Sequence, residues 1–209
     1  MKKTLILVLL LVVALFGLHA RDNFSSFGFV YNVTSQSLKA GGEKGTISLK
    51  SLGLEAAAFS FENEFVASGF YGRVKLLFPN EIKLTSSGTS VSFKAKDLFD
   101  SSFIMNTSFG YVQRWQIAKG ADFLLGVGPS LQMEMVSIGS QSDYSLVMGL
   151  GATAEVKYEI NPGLALHAGL GADLGLFKIV GDETDLSGSG VSVTLPFSIS
   201  PFIGLGFNL

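Results

Sequence analysis

Between Gly163 and Phe177 the chain reads GLALHAGLGADLGLF, and every second residue from Leu164 is aliphatic: Leu164, Leu166, Ala168, Leu170, Ala172, Leu174 and Leu176. The positions between hold Ala165, His167, Gly169, Gly171, Asp173, Gly175 and Phe177. Successive side chains of a β-strand point to opposite faces, so this segment is a strand with one apolar face and one face of glycine and polar groups. A soluble sheet would turn the aliphatic face into a core. A membrane barrel would turn it towards lipid.

The same alternation recurs along the chain. Phe27, Phe29, Tyr31 and Val33 share a face, and Leu52, Leu54, Ala56 and Ala58 oppose Gly53, Glu55 and Ala57. Phe70, Val74, Leu76 and Phe78 oppose Gly69, Tyr71, Arg73 and Lys75; Met105, Phe109, Tyr111 and Trp115 oppose Asn106, Ser108, Gly110, Arg114 and Gln116. Phe123, Leu125, Val127, Leu131, Met133 and Met135 alternate with Gly126, Gly128, Ser130, Gln132 and Glu134. Tyr144 to Tyr158 repeats the pattern against Ser145, Gly149, Gly151, Thr153, Glu155 and Lys157, and Phe197 to Leu209 repeats it against Ser198, Ser200, Gly204, Gly206 and Asn208. With the Leu164 segment these make eight strands.

The joins alternate in length. Short ones (ENE, AKG, NPG) alternate with long ones (SQSLKAGGEKG, the two dozen residues from Pro79 to Ser102, IGSQSD and VGDETDLSGSG). Short turns at one end, longer loops at the other and an even strand number are the pattern of a bacterial outer-membrane barrel. Aromatics give an independent sign. Phe65, Trp115, Phe123, Tyr158 and Phe207 lie on the apolar face near the short turns or the C-terminus, and Phe78 and Tyr144 lie on it near the long loops, as two interfacial girdles would.

The chain begins MKKTLILVLLLVVALFGLHA: two lysines, an apolar run shorter than a transmembrane helix requires, then Ala20 before Arg21 and Asp22. Residues 1–20 therefore read as a cleaved signal peptide and residues 21–209 as one domain, the alternative being a retained N-terminal anchor. With no cysteine, disulfides and a lipid-bearing cysteine are excluded. Cleavage removes Lys2 and Lys3 and no acid, which deepens the excess of 17 acidic over 15 basic residues; without a basic run, nucleic-acid binding has little to stand on. Charged residues make up 15%, against about 25% in ordinary soluble domains.

On these features the chain resembles the small eight-stranded outer-membrane proteins of the OmpA membrane domain, OmpX and OmpW type. The resemblance is architectural and covers nearly all of residues 21–209. It implies an eight-stranded antiparallel up-and-down transmembrane β-barrel in the bacterial outer membrane, in contact with outer-membrane lipid. The C-terminal alternation of Ile203, Leu205, Phe207 and Leu209 resembles the family's assembly signal, with leucine where phenylalanine is usual, and implies insertion by the barrel-assembly machinery. Pro129, Pro196 and Pro201 fall within predicted strands; Pro196 can mark a strand's start, while Pro129 and Pro201 call for bulges.

Eight strands enclose a space that side chains nearly fill. The inward set is Glu55, Tyr71, Arg73, Lys75, Arg114, Glu134, Glu155, Lys157, His167 and Asp173. Buried charges need partners, so a polar network is expected, structural or gating, with Glu55 near Arg73 and with Glu155, Lys157 and His167 clustered. Inward glycine pairs (Gly126/Gly128, Gly149/Gly151, Gly169/Gly171, Gly204/Gly206) lie mid-strand, where a nucleotide-binding loop has no place. They leave room for large side chains such as Tyr71, or for a narrow cavity.

Some barrels of this type are lipid A deacylases or palmitoyltransferases. Here His167, the histidine remaining after signal removal, faces inward without the serine two residues away that the deacylase pattern requires, and His167 with Asp173 gives too few metal ligands. No catalytic, cofactor or metal site is expected. The leading expectation is a non-enzymatic envelope protein that meets an extracellular or host ligand through its loops. The alternatives are a narrow path for small apolar solutes and a soluble lipocalin-like barrel with the apolar face inward.

Overall fold

The computed structural model describes residues 22–40, 43–61, 67–86, 88–138, 141–181, 192–193 and 196–208. The expected signal segment, Phe65 with its ENE turn and Leu209 lie outside the described residues. In chain order the strands are β1 (Asp22–Ala40), β2 (Glu43–Phe61), β3 (Ser68–Ser86), β4 (Thr89–Lys94), β5 (Ser101–Ala118), β6 (Ala121–Ile138), β7 (Gln141–Asn161), β8 (Leu164–Gly181), β9 (Ser192–Val193) and β10 (Phe197–Asn208). Eight of them form the wall, each antiparallel to the next, in the order β1-β2-β3-β5-β6-β7-β8-β10. Pairing of β10 with both β8 and β1 closes the ring: Ile203 stands opposite Ala168 on one side and Phe29 on the other.

Closure leaves no free edge strand around the ring up to the level of Leu77 and Ile104, so most of its backbone groups there find partners without water. The side chains then show which solvent lies outside. Phe29 is 69% exposed, Leu52 56% and Ile203 59%, whereas Glu55, Arg73, Lys75 and His167 are each 2% or less. A water-soluble barrel has the opposite polarity, so the lipocalin-like alternative fails. The greasy face of the Leu164 strand looks outward.

The β5–β6 turn shows how the short end is made. Ala118 pairs with Ala121, leaving a two-residue loop in which Gly120 takes φ +74°, a conformation that L side chains resist. Its carbonyl accepts from the Glu159 N–H at 2.7 Å.

Several expectations need correction. Neither Pro129 nor Pro201 sits at a bulge: each keeps an unbroken register with one neighbour, Leu150 and Leu170 respectively. On the other side pairing is skipped and then resumes in phase, from Ser108/Ser130 to Tyr111/Val127 and from Val30/Phe202 to Val33/Ile199. The missing N–H is absorbed as a gap in the ladder, without a shift. Pro196 does precede its strand.

The bulges lie elsewhere. Ser51 pairs with Pro79 and Lys50 with Glu81, which leaves Asn80 as the extra residue of β3. Met148 pairs with Phe177 and Gly149 with Gly175, which leaves Leu176 extra in β8 and inverts the parity beyond it. Phe177, expected inside, is therefore 68% exposed, and Lys178 turns in to reach Glu134.

The segment after Phe78 is not an irregular loop. β3 runs on to Ser86 and returns as β4, whose six residues are all exposed. A 3-10 turn at Ala95–Asp97 follows, with the N–H groups of Leu98 and Phe99 both donating to the buried Ala95 carbonyl. This strap is tied to β6 where the Asp100 N–H donates to the Ser137 carbonyl at 2.9 Å.

Candidate functional site

Parity decides which side chains enter the lumen, and position along each strand decides their level. Near the short-turn end Phe24, Phe59, Phe61, Tyr71, Val112 and Leu124 pack into an apolar plug. Two predicted lumen cations end on this plug: the Arg114 guanidinium lies 4.1 Å from the Phe61 ring centre, and the Lys157 ammonium 4.7 Å from that of Phe24. Lys157 is the direct cross-strand partner of His167, yet it turns its charge onto the aromatic face.

The charged layer lies above. Arg73 donates from Nη1 to Glu55 at 3.3 Å and from Nη2 to Glu155 at 2.8 Å, crossing the lumen to do so. His167 presents Nδ1 to Glu155 at 3.4 Å and Nε2 to Glu55 at 4.0 Å, and its ring packs beside Phe24 and Phe202. The guanidinium also lies over Phe202, 4.1 Å from the ring centre. Lys75 donates to Asp173 at 3.0 Å and to the Ser200 hydroxyl at 3.2 Å; Ser200 donates onward to Asn32. Glu134 stands apart, nearer the long-loop end, accepting from Gln132 and Ser145 at 2.8 Å each and from Lys178 at 3.5 Å.

The inward glycines make room for these groups. A Cβ on Gly126 would stand 2.8 Å from the Tyr71 ring, one on Gly171 3.1 Å from the Lys75 ammonium, and one on Gly206 inside the Phe24 ring. Of the two expectations for this wall, room for large side chains such as Tyr71 holds, and the alternative of a narrow cavity fails, because side chains from across the lumen fill it. Beside Asp173 the free space is about 10 Å³, roughly what one water needs. Among the described residues no three His, Cys, Asp or Glu side chains are grouped to hold a metal ion.

Val30, Leu77, Ile104 and Phe202 form a second apolar layer beyond the charges. Above it the wall opens. β3 and β5 pair only as far as Leu77 and Ile104; past the Asn80 bulge β3 pairs with β4 instead. Leu98 and Phe99 of the strap stand in the resulting wedge and help enclose a cavity of about 270 Å³ at the extracellular mouth.

The outer surface carries the predicted aromatics. Trp115 and Phe123 stack on paired positions at the short-turn end with ring centres 5.7 Å apart, and Tyr158 and Phe207 are exposed there too. Phe78 and Tyr144 are exposed towards the long loops. The belts are not exclusive, since Phe29 and Phe109 are also exposed in the middle of β1 and β5.

Sequence reasoning missed the bonds across the lumen, Arg73 to Glu155 and Lys75 to Asp173, together with the Lys178 contact, the mouth cavity and the strap. Alternation signals facing but not height, and height depends on the stagger of all eight strands.

No family model matches the chain, and no curated protein matches it in sequence. Solved structures do resemble it. Ail, the attachment invasion locus protein of Yersinia pestis, is 12% identical over 91% of this chain and 100% of that one, with a TM-score of 0.52. Neisserial surface protein A is 16% identical over 88% and 99%, TM-score 0.53. OprG from Pseudomonas aeruginosa is 13% identical over 91% and 96%, TM-score 0.55. At such identities the likeness is one of fold, and the fold is the small bacterial outer-membrane barrel. An apolar exterior on that closed barrel makes the chain an integral outer-membrane protein.

Proposed function

We propose that this outer-membrane barrel is not an enzyme and works at the cell surface, through the rim that its strands raise above the bilayer. One observation carries the reading. A tilted strand crosses the membrane in about 9–11 residues, and seven of the eight wall strands have 18–21. The excess lies at the long-loop end, where β3 and β4 form an ordered hairpin with Val91 and Phe93 exposed. An ordered, exposed sheet suits contact with an extracellular or host ligand better than a simple connection would require.

Under this reading the charged layer is a plug that holds the wall together. His167, closed in between Glu55, Glu155 and two aromatic rings, has no route to a lipid substrate, so His167→Ala should leave lipid A unchanged. The deciding experiment shortens the hairpin by joining Ile82 to Phe93 through a Gly-Ser turn. Cells displaying the shortened barrel should still give a heat-modifiable band on detergent gels but lose adherence to cultured cells and immobilised glycans. Full adherence would overturn the reading.

The mouth cavity favours a second reading, a path for small apolar solutes. Beneath it a solute meets the second apolar layer, the charged layer and the aromatic plug in turn. Flux of small apolar solutes across planar bilayers separates the two: none above the protein-free rate leaves the surface reading alone.

A further inference from the structure

We infer that the outer surface of the barrel seats one phosphate-monoester lipid of the outer leaflet, with a chain in a groove across β10, β1, β2 and β3 and its phosphate on Lys50, Lys83 and Lys94 above. The inference needs only the barrel's place in the outer membrane and rests on neither functional reading above.

The groove holds about 660 Å³, several times the roughly 150 Å³ that accepts a benzene ring. Ile203, Phe29, Tyr31, Leu52, Leu54 and Phe78 line it, outward residues of four neighbouring strands. It lies where β1 and β10 skip pairing beside Pro201. A groove facing a bilayer fills with hydrocarbon whatever its shape. Selection of one lipid therefore has to come from the charges above it.

Register sorts those charges. Beyond Leu52 and Phe78, the first row on the outward face sets Lys50, Glu81 and Lys94 side by side on β2, β3 and β4, and the next sets Ser48, Lys83 and Ser92. Three lysines against one glutamate leave two positive charges, the match for a phosphate monoester, which carries about −1.5 to −2 at pH 7. A diester carries one negative charge and a zwitterionic head none, so both match less well. The hydroxyls of Ser48 and Ser92, on either side of Lys83, add donors for phosphate oxygens. Lys50 and Leu54 stand about 14 Å apart along β2 at roughly 3.4 Å per residue, so a chain lying against Leu54 brings its head to the lysines. Tyr31 joins the two parts, since it lines the groove and lies within electrostatic reach of Lys50.

The test equilibrates the whole barrel with chain-matched phosphatidic acid, phosphatidylglycerol and phosphatidylcholine in equal amounts, and counts the lipids it retains by native mass spectrometry. One phosphatidic acid should stay bound per barrel, favoured roughly tenfold over phosphatidylcholine, as two exposed ion pairs imply, and less strongly over phosphatidylglycerol. Joint replacement Lys83→Gln and Lys94→Gln leaves the Lys50 pair with Glu81 in place and should erase that order of preference. Leu54→Trp, which fills the groove, should lower retention of all three lipids. If Leu54→Trp gives no heat-modifiable band, the double lysine variant carries the test alone. Inorganic phosphate in excess should leave the bound lipid in place, because it has no chain for the groove. Displacement by phosphate, retention of phosphatidylcholine equal to that of phosphatidic acid, binding that never saturates at one lipid, or an unchanged preference in the double variant would each overturn the proposal. Neither adherence nor flux enters this readout, so its failure is distinct from failure of the functional readings.

Discussion

Arg73 is where the lumen's energetics concentrate. It is the guanidinium between two carboxylates from opposite parts of the wall, Glu55 and Glu155, and all three are buried. Replacing a buried ionic group by a well-packed apolar set can be neutral, but removing one partner strands the rest. Arg73→Met leaves two buried carboxylates facing His167 without their cation. It should cost about 3–5 kcal/mol, a large share of the roughly 5–15 kcal/mol that holds a typical protein folded. Heat-modifiable migration should then be lost at a markedly lower temperature than in wild type. The further change of Glu55 and Glu155 to glutamine should restore most of the difference, and failure to do so would show that Arg73 acts by packing on Phe202. Alternation alone put these three residues inside the barrel. It did not say that Arg73 reaches Glu155, because that contact joins β3 to β7 across the lumen.

At the level of elements, bulges decide where the chain leaves the barrel pattern. The extra Asn80 lets β3 part from β5, and the exposed hairpin, the strap and the mouth cavity all lie beyond that point. At the hairpin's base Lys50 donates to Glu81 at 2.8 Å on the outer surface above Phe78. The Lys50 ammonium's hydrogen bond holds the Glu81 carboxyl below the usual carboxylate range, and the same bond raises Lys50. A carboxylate whose folded pKa is depressed stabilises the fold above its ordinary range, and loses that contribution as pH falls through its own lower value. Carboxyl 13C titration of Glu81 should therefore give a midpoint below that of a free glutamate, moving up in Lys50→Met, with Ser92 and Lys83 still acting to lower it. A midpoint unmoved by that substitution would remove the pair from the hairpin's base. Gly88, at φ +80° in the hairpin turn, belongs to this scale as well. Gly88→Val should fray β4, seen as faster amide exchange from Thr89 to Lys94, without altering the heat-modifiable band. The hairpin carries only a short alternation of its own, Ile82 and Leu84 before Gly88 and Val91 and Phe93 after it, which among Ser, Thr and Lys residues marks it far less strongly than the wall strands.

For the molecule as a whole, the quantity that matters is which solvent each face meets. A closed eight-stranded ring with exposed aliphatics requires a bilayer, and folded and boiled samples should migrate differently on detergent gels; identical migration would count against closure. Strand number, antiparallel order and the outward face were all legible in the chain, because period-two alternation follows from the backbone geometry of each strand taken singly. The polar partners, the parity inversion at Leu176, the gaps beside Pro129 and Pro201 and the mouth cavity were not. They depend on how eight strands are staggered around a ring, and stagger is a relation between residues up to the full chain length apart. Local alternation thus determined the barrel and its orientation, and tertiary register alone decided what fills it and what opens at its mouth.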